Sequence, residues 1–169
     1  YCYYMFSIFV CVGTFNNMSF VYVAAFGAFT DVSYSTSQEL KNILGHKAYV
    51  LESIKEFVPT IQSTYHITAV ANGKKLEGEF IYGMVSNSQS VGGFKGITGK
   101  DIGFDDGVFE VTLVKSPTSP IEFQEIITSL LTGKRSKMVL RFKASMLKVY
   151  SEEKIDWVVD GEFGGSVKK

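Results

Sequence analysis

The sequence predicts a mainly β (α+β) fold, an antiparallel two-sheet β-sandwich with short helices inserted between strands. Three observations carry this expectation. Short β-branched and aromatic runs are bounded by Asn-Gly and Asp-Gly pairs, which are strong local signals for tight turns. The composition sets 14 Phe, 9 Tyr and 16 Gly against only 3 Pro, which suits pleated strands joined by sharp turns. Strands and helices do not alternate regularly, which argues against a doubly wound parallel sheet. With 169 residues, 46% hydrophobic and 20% charged, the chain fits one packed domain and is too apolar for a disordered segment. Its 17 basic and 17 acidic residues cancel, which excludes nucleic-acid binding driven by overall charge.

The elements follow in chain order. Tyr1 to Val12 is apolar apart from Ser7, too short for a membrane span of about 20 residues and without the basic start of a signal peptide. A strand, a cut end or sequence foreign to the domain all fit it. Asn16-Asn17 marks a turn, and Phe20 to Phe26 reads as a buried strand ended by Gly27. Thr36-Ser37-Gln38-Glu39 is a capping box for a helix through Leu40, Ile43 and Leu44, closed by Gly45. A second helix is expected from Lys47 to Phe57, stopped by Pro59. Tyr65 to Val70 and Leu76 to Met84 flank Asn72-Gly73 as a hairpin with a type I′ turn.

Ser86 to Gly93 is a polar, glycine-bearing loop. Asp105-Asp106-Gly107 is a tight turn leading into a strand from Val108 to Val114. Ser119-Pro120-Ile121-Glu122 caps a third helix, whose core face is Phe123, Ile126, Ile127, Leu130 and Leu131 and whose end is Gly133. Leu140, Phe142, Ala144 and Met146 alternate with polar residues as a half-exposed strand. The apolar phase then shifts to Leu147 and Val149, as at a bulge. Trp157-Val158-Val159 forms a last strand running into Asp160-Gly161-Glu162.

Several of these segments hold candidate chemistry. Asp160-Gly161-Glu162-Phe163-Gly164-Gly165 gathers carboxylates among glycines, where a substrate could approach and lose a hydroxyl proton. On spacing alone, an Asp-Gly hairpin with exposed acids accounts for it better. Asp105-Asp106-Gly107 offers oxygens suited to a hard cation such as Mg²⁺, although turn chemistry alone also explains it. Asn87 to Gly93 lacks the Lys and the following helix of a P-loop, so a plain connecting loop is the better reading. His46 and His66 have no partner pattern. Cys2 and Cys11, the only cysteines, form no metal or disulfide framework and read as buried or bystander thiols. Lys134, Arg135, Lys137, Arg141, Lys143 and Lys148 run without an intervening acid. They read as a solvated strand face by default, or as contacts to an anionic membrane surface.

Three segments, taken in order, resemble the C-terminal domain of the bacterial diacylglycerol kinase-like lipid kinases, relatives of the sphingosine kinases. They are Phe20 to Val32 with its continuation Leu40 to Tyr49, Phe104 to Val111, and Trp157 to Gly165. The resemblance covers residues 12–169 and leaves 1–11 as a non-matching segment. It implies a β-sandwich that is half of a two-domain kinase, with the catalytic cleft between the halves. It also implies that Glu162 is the general base for a lipid hydroxyl, that Asp106 is the side-chain ligand of a structural Mg²⁺, and that Gly103 and Val108 ligate that ion through backbone carbonyls. ATP would be co-substrate, bound mainly by the other domain, because no Gly-Gly-Asp-Gly-Thr nucleotide loop occurs in this sequence.

The same resemblance implies diacylglycerol or a related lipid as substrate, a cytoplasmic protein with peripheral membrane contact, and a homodimer as an assembly option. With the nucleotide loop absent and the family's final strands after Gly165 expected to be cut short, the chain alone is expected to be inactive. The alternatives are a non-catalytic sandwich that binds lipid or membrane, and an inactive gene fragment.

Overall fold

The computed structural model describes residues 10–28, 63–88, 91 and 103–169. The helices expected over 36–44 and 47–57, together with Cys2, His46, Pro59 and Gly92-Gly93, lie outside the described residues. Among the described residues, ten strands and one helix follow in chain order: β1 (Gly13–Phe15), β2 (Met18–Phe20), β3 (Val23–Gly27), β4 (Tyr65–Ala71), β5 (Lys74–Ser86), β6 (Phe109–Lys115), α1 (Pro120–Thr132), β7 (Val139–Ala144), β8 (Leu147–Ser151), β9 (Ile155–Val159) and β10 (Glu162–Val167).

β1 and β2 form a small hairpin, and the other eight strands form one antiparallel sheet. Its branch point is β5, which is 13 residues long. The first half of β5 pairs with β4, and its second half pairs with β3 and β6. β9 and β10 extend the β3 side, β7 extends the β6 side, and β8 extends β4. Ile67 and Ala69 from the β4 limb share one core cluster with Ala24, Phe26, Val111, Leu113 and Trp157 from the other limb. The sheet therefore folds over on itself, and this gives the predicted antiparallel sandwich. A hydrogen bond from Ser151 N to the Lys168 carbonyl, 3.0 Å, ties β8 to the residue just past β10.

Alternation explains why every residue of β3 is buried. Ala24 and Phe26 face the sandwich interior, while Val23 and Ala25 join Ile81, Met84, Val114 and Val139 beneath α1. Phe26 anchors the interior, with ring centroids 4.8 Å from Trp157 and 5.7 Å from Tyr65. A Cβ on Gly83 would collide with the Phe26 ring, so a glycine is required where β5 passes under it. The capping-box expectation for α1 holds at Ser119, whose Oγ accepts from Glu122 N. Glu122, however, reaches one residue further back, accepting from the amide and hydroxyl of Thr118 at 2.6 and 2.7 Å.

Three expectations change. The single strand expected from Phe20 to Phe26 is two strands, broken at Val21-Tyr22. The phase shift near Met146 is a corner rather than a bulge: β7 pairs with β6, and β8 crosses to pair with β4. Glu162 to Val167 is a strand, so the chain does not close on Trp157–Val159. The pairing of that strand with β9 runs through Gly165 to Val167. Gly164 and Gly165 disguised that strand, because glycine ordinarily weakens one.

Candidate functional site

The sheet brings the candidate residues to one end without bringing them together. Val159 pairs with Glu162 and with Ala24, Val23 pairs with Ser86, Ser86 with Glu110, and Glu110 with Lys143. Glu162 and Glu110 thus lie at the same sheet end with four strand spacings between them, about 19 Å at roughly 4.8 Å each.

At the β9–β10 turn, Asp160 has φ 49° and Gly161 φ 90°. Positive φ at both central residues is the type I′ signature, and Asp and Gly tolerate it. The Asp160 carboxylate accepts from the backbone N–H groups of Val21, Tyr22 and Val23 at 2.8, 2.9 and 2.8 Å. This clasp creates the break between β2 and β3. Partial burial pushes the Asp160 carboxyl up, but the three amides outweigh it and hold the group below the usual carboxylate range. Asp160 is therefore a structural acid. Glu162 follows two residues later, exposed at the first position of β10. The turn fixes its backbone and leaves its carboxylate open to solvent.

The second turn carries Gly103, Asp106 and Val108. Asp106 Oδ1 accepts from Val108 N at 3.2 Å, and Oδ2 lies 3.4 Å from Lys143 Nζ. A Cβ on Gly103 would come within 2.9 Å of Asp106 Oδ2, so a larger residue there would push the carboxylate from its present position. The Val108 amide, aided by the Lys143 ammonium, holds the Asp106 carboxyl below its ordinary range. The turn is latched from two sides. Cys11 N donates to the Phe104 carbonyl at 2.6 Å, and Gly107 N donates to Cys11 Sγ at 3.3 Å. Asn87 Nδ2 donates to the carbonyls of Cys11 and Phe104, both at 3.1 Å. Cys11 is thus a structural contact of the turn rather than a bystander, and Asn87 is a clasp rather than part of a plain loop. A carboxylate is a ligand type that a hard cation takes, and Asp106 is the side chain of this turn that could hold one.

Glu110 was missed by the sequence reading. It is 2% exposed on β6 with Lys143 Nζ at 3.5 Å, and burial pushes its carboxyl up. The available signal was alternation: Glu110 shares a face with Thr112 and Val114, both buried. The basic run is also not a uniform solvated face. Lys143 serves the two acids, and the Arg141 guanidinium donates to Ser129 Oγ and the Ser129 carbonyl, each at 3.0 Å, at the C-terminus of α1. His66 on β4 pairs with Glu79 at 2.7 Å, on the exposed face of the hairpin.

A cavity of about 550 Å³ opens between β1, the β7–β8 corner and the C-terminal residues. Its apolar lining includes Phe20, Phe109, Val111 and Trp157, and the exposed Lys148, Lys168 and Lys169 also line it. Among the described residues, no helix is long and apolar enough to cross a membrane.

No family model matches the chain. Curated relatives do match it, two of them as follows. The diacylglycerol kinase of Bacillus subtilis (strain 168) is 31% identical over 156 residues, 91% of this chain and 50% of its own length. The diacylglycerol kinase of Staphylococcus carnosus (strain TM300) is 30% identical over 163 residues, 95% of this chain and 52% of its own length. A solved structure from Bacillus anthracis str. Sterne, assigned as a diacylglycerol kinase, superposes with a TM-score of 0.60 at 24% identity, covering 90% of this chain and 50% of that one. At that identity the superposition speaks to the fold alone. The chain spans about half the length of the curated relatives it matches.

Proposed function

This chain belongs to the diacylglycerol kinase-like family as its C-terminal portion, and we propose from that premise that the whole protein is an ATP-dependent lipid kinase in which Glu162 is the general base. The observation that carries the reading is the 31% identity to a diacylglycerol kinase along 91% of the chain. The geometry of Glu162 is in keeping with it. In the proposed step the lipid hydroxyl oxygen bonds to the γ-phosphorus of ATP, the bond from that phosphorus to the β–γ bridging oxygen breaks, and ADP leaves with the electron pair. The hydroxyl proton passes to the Glu162 carboxylate. Phosphoryl transfer asks the protein mainly for positioning and charge stabilisation, which a base fixed on a braced turn serves.

Diacylglycerol or a related lipid is the proposed substrate, with peripheral contact to the cytoplasmic membrane face. Mg²⁺ at Asp106 would supply positive charge to its turn. It would act there on structure, about four strands from Glu162, rather than on the transferred phosphate. ATP would bind chiefly outside these 169 residues.

The test uses the natural polypeptide that carries this chain, with radiolabelled ATP and diacylglycerol in mixed micelles. Glu162→Gln is expected to lower kcat by about a hundredfold to ten-thousandfold, the range for loss of a positioned base. Its melting temperature should be unchanged. Full turnover in that variant would remove Glu162 from the mechanism. A second reading, a sandwich that holds a lipid without catalysis, is favoured by the apolar cavity beside Lys148, Lys168 and Lys169. It predicts lipid binding with no ATP-dependent transfer in the same assay.

A further inference from the structure

The sheet end beside the Asp106 turn holds more buried oxygen than its hydrogen bonds satisfy. β6 sets Glu110 opposite Ser86 of β5 on one side and Lys143 of β7 on the other, so the three side chains stand in a row on one face. Neither carboxylate oxygen of Glu110, nor Ser86 Oγ, nor Asn87 Oδ1 has a hydrogen-bond partner. All three residues are at least nine-tenths buried, at 2%, 0% and 3% exposure. Among the described residues, the unpartnered buried side-chain oxygens therefore belong to neighbouring positions, Ser86 paired with Glu110 and Asn87 next in the chain. Asn87 also reaches the turn directly through its amide nitrogen on the Phe104 carbonyl.

Charge points the same way. Two carboxylates, Asp106 and Glu110, share the Lys143 ammonium at 3.4 and 3.5 Å. Counting two negative charges and one positive leaves one net negative charge, with Glu110 buried and Asp106 and Lys143 at the surface beside it. Removing a carboxylate from water costs several kcal/mol unless opposite charge and hydrogen bonds compensate, and the opposite charge within reach of Glu110 is the Lys143 ammonium at 3.5 Å. Carboxylate, amide and hydroxyl oxygens with unused lone pairs are the ligand chemistry of a hard cation.

We propose that Glu110 is a second carboxylate for the cation at the Asp106 turn, and that Lys143 is the built-in ammonium that holds both acids when the cation is away. This rests on the reading of Asp106 as a cation ligand and adds residues that reading does not use. Cation and ammonium then compete for the same two carboxylates. Losing Lys143 should make the turn more dependent on metal, and losing Glu110 should weaken the metal.

The experiment takes the natural polypeptide, stripped with EDTA, and titrates it with Mg²⁺ or Ca²⁺. The response is read by melting temperature and, independently, by luminescence of Tb³⁺ as a Ca²⁺ surrogate. Glu110→Gln should weaken the cation midpoint by about tenfold to a hundredfold, the range for removing a supporting partner of a metal site. Lys143→Met should tighten that midpoint and lower the melting temperature in EDTA. The double variant E110Q/K143M leaves no unpaired charge between β6 and β7, so it guards against a simple folding failure. It should bind the cation about tenfold to a hundredfold more weakly than Lys143→Met alone, because Asp106 is then freed of the ammonium while the second carboxylate is missing. Wild-type midpoints in both Glu110 variants, with the response lost in Asp106→Asn, would overturn the proposal and leave Asp106 as a ligand. No response in the wild type by either readout would overturn both.

Discussion

Two Asp-Gly turns sit at the same end of the sheet, and their acids behave oppositely. Asp160 fills its carboxylate with three backbone amides between 2.8 and 2.9 Å. Asp106 accepts the Val108 amide at a longer 3.2 Å and shares an ammonium with a buried neighbour. A saturated carboxylate fixes the backbone and has nothing left to offer a ligand, whereas an undersaturated one has oxygens to spare. The motif therefore does not decide function; the count of donors around each acid does. In the first turn the chemistry is displaced by two residues, onto the exposed Glu162 that the clasp holds in place.

The largest expected effect on this comparison is the split between activity and stability in the first turn. Glu162→Gln should remove most turnover and leave the fold intact, as argued above. Asp160→Ala should do the reverse in kind: it loses three charge-assisted hydrogen bonds and places Ala at φ 49°. Hydrogen bonds to charged groups contribute about 1.5–3 kcal/mol each when well formed. Discounted for solvent exposure, the total loss should be about 2–3 kcal/mol, read as a shift in urea midpoint. Its kcat should fall as well, because Glu162 loses its brace, and the fall should be partly reversed by Asp160→Asn, which keeps an acceptor. An Asp160→Ala protein with wild-type stability would show that the clasp is incidental.

Much of the sheet was legible from local signals. Asn72-Gly73 did specify a two-residue turn, with φ of 51° and 72°, and the Phe20 to Phe26 run did hold a strand buried on both faces. What escaped was non-local. The break at Val21-Tyr22 depends on Asp160, which lies 138 residues from Tyr22. Glu110 reads as an ordinary exposed strand acid until β5 and β7 enclose it. Arg141 and Lys143 look like a solvated basic face until Ser129 and Asp106 are seen to meet them. For the site, the sequence located both turns. It could not say which carboxylate was already occupied.

A smaller effect separates the two acids by pH. Both carboxyls are held below the ordinary aspartate range in the folded protein. A depressed folded value means that the stabilisation is present above the unfolded value, about 3.9 for Asp. It is lost as pH falls through the lower, folded value. Asp160 rests on three amides, so Asp160→Asn should flatten the acid limb of the stability curve more than Asp106→Asn does. Equal flattening by the two variants, measured by urea unfolding between neutral pH and the acid transition, would erase the distinction drawn from donor count.

The smallest expected effect lies away from this end of the sheet, on the β4–β5 hairpin, and supplies the contrast of a carboxylate pair with no backbone anchor. His66 Nδ1 lies 2.7 Å from Glu79 Oε1, and Nε2 lies 3.7 Å from Glu77 Oε1. The hydrogen bond to Glu79 raises the imidazole above its ordinary value. A raised folded value makes the sign opposite to that of the aspartates. The stabilisation is fully present below the unfolded histidine value, about 6.5, and fades as pH rises through the folded one. The pair is exposed, so solvent and salt screen it and the change should be near the limit of detection. His66→Gln should remove that slope on the neutral side and leave the acid limb set by Asp160 untouched. If His66→Gln instead altered the acid limb, the two regions would be coupled through β5, and the donor count around each acid would no longer account for its behaviour alone.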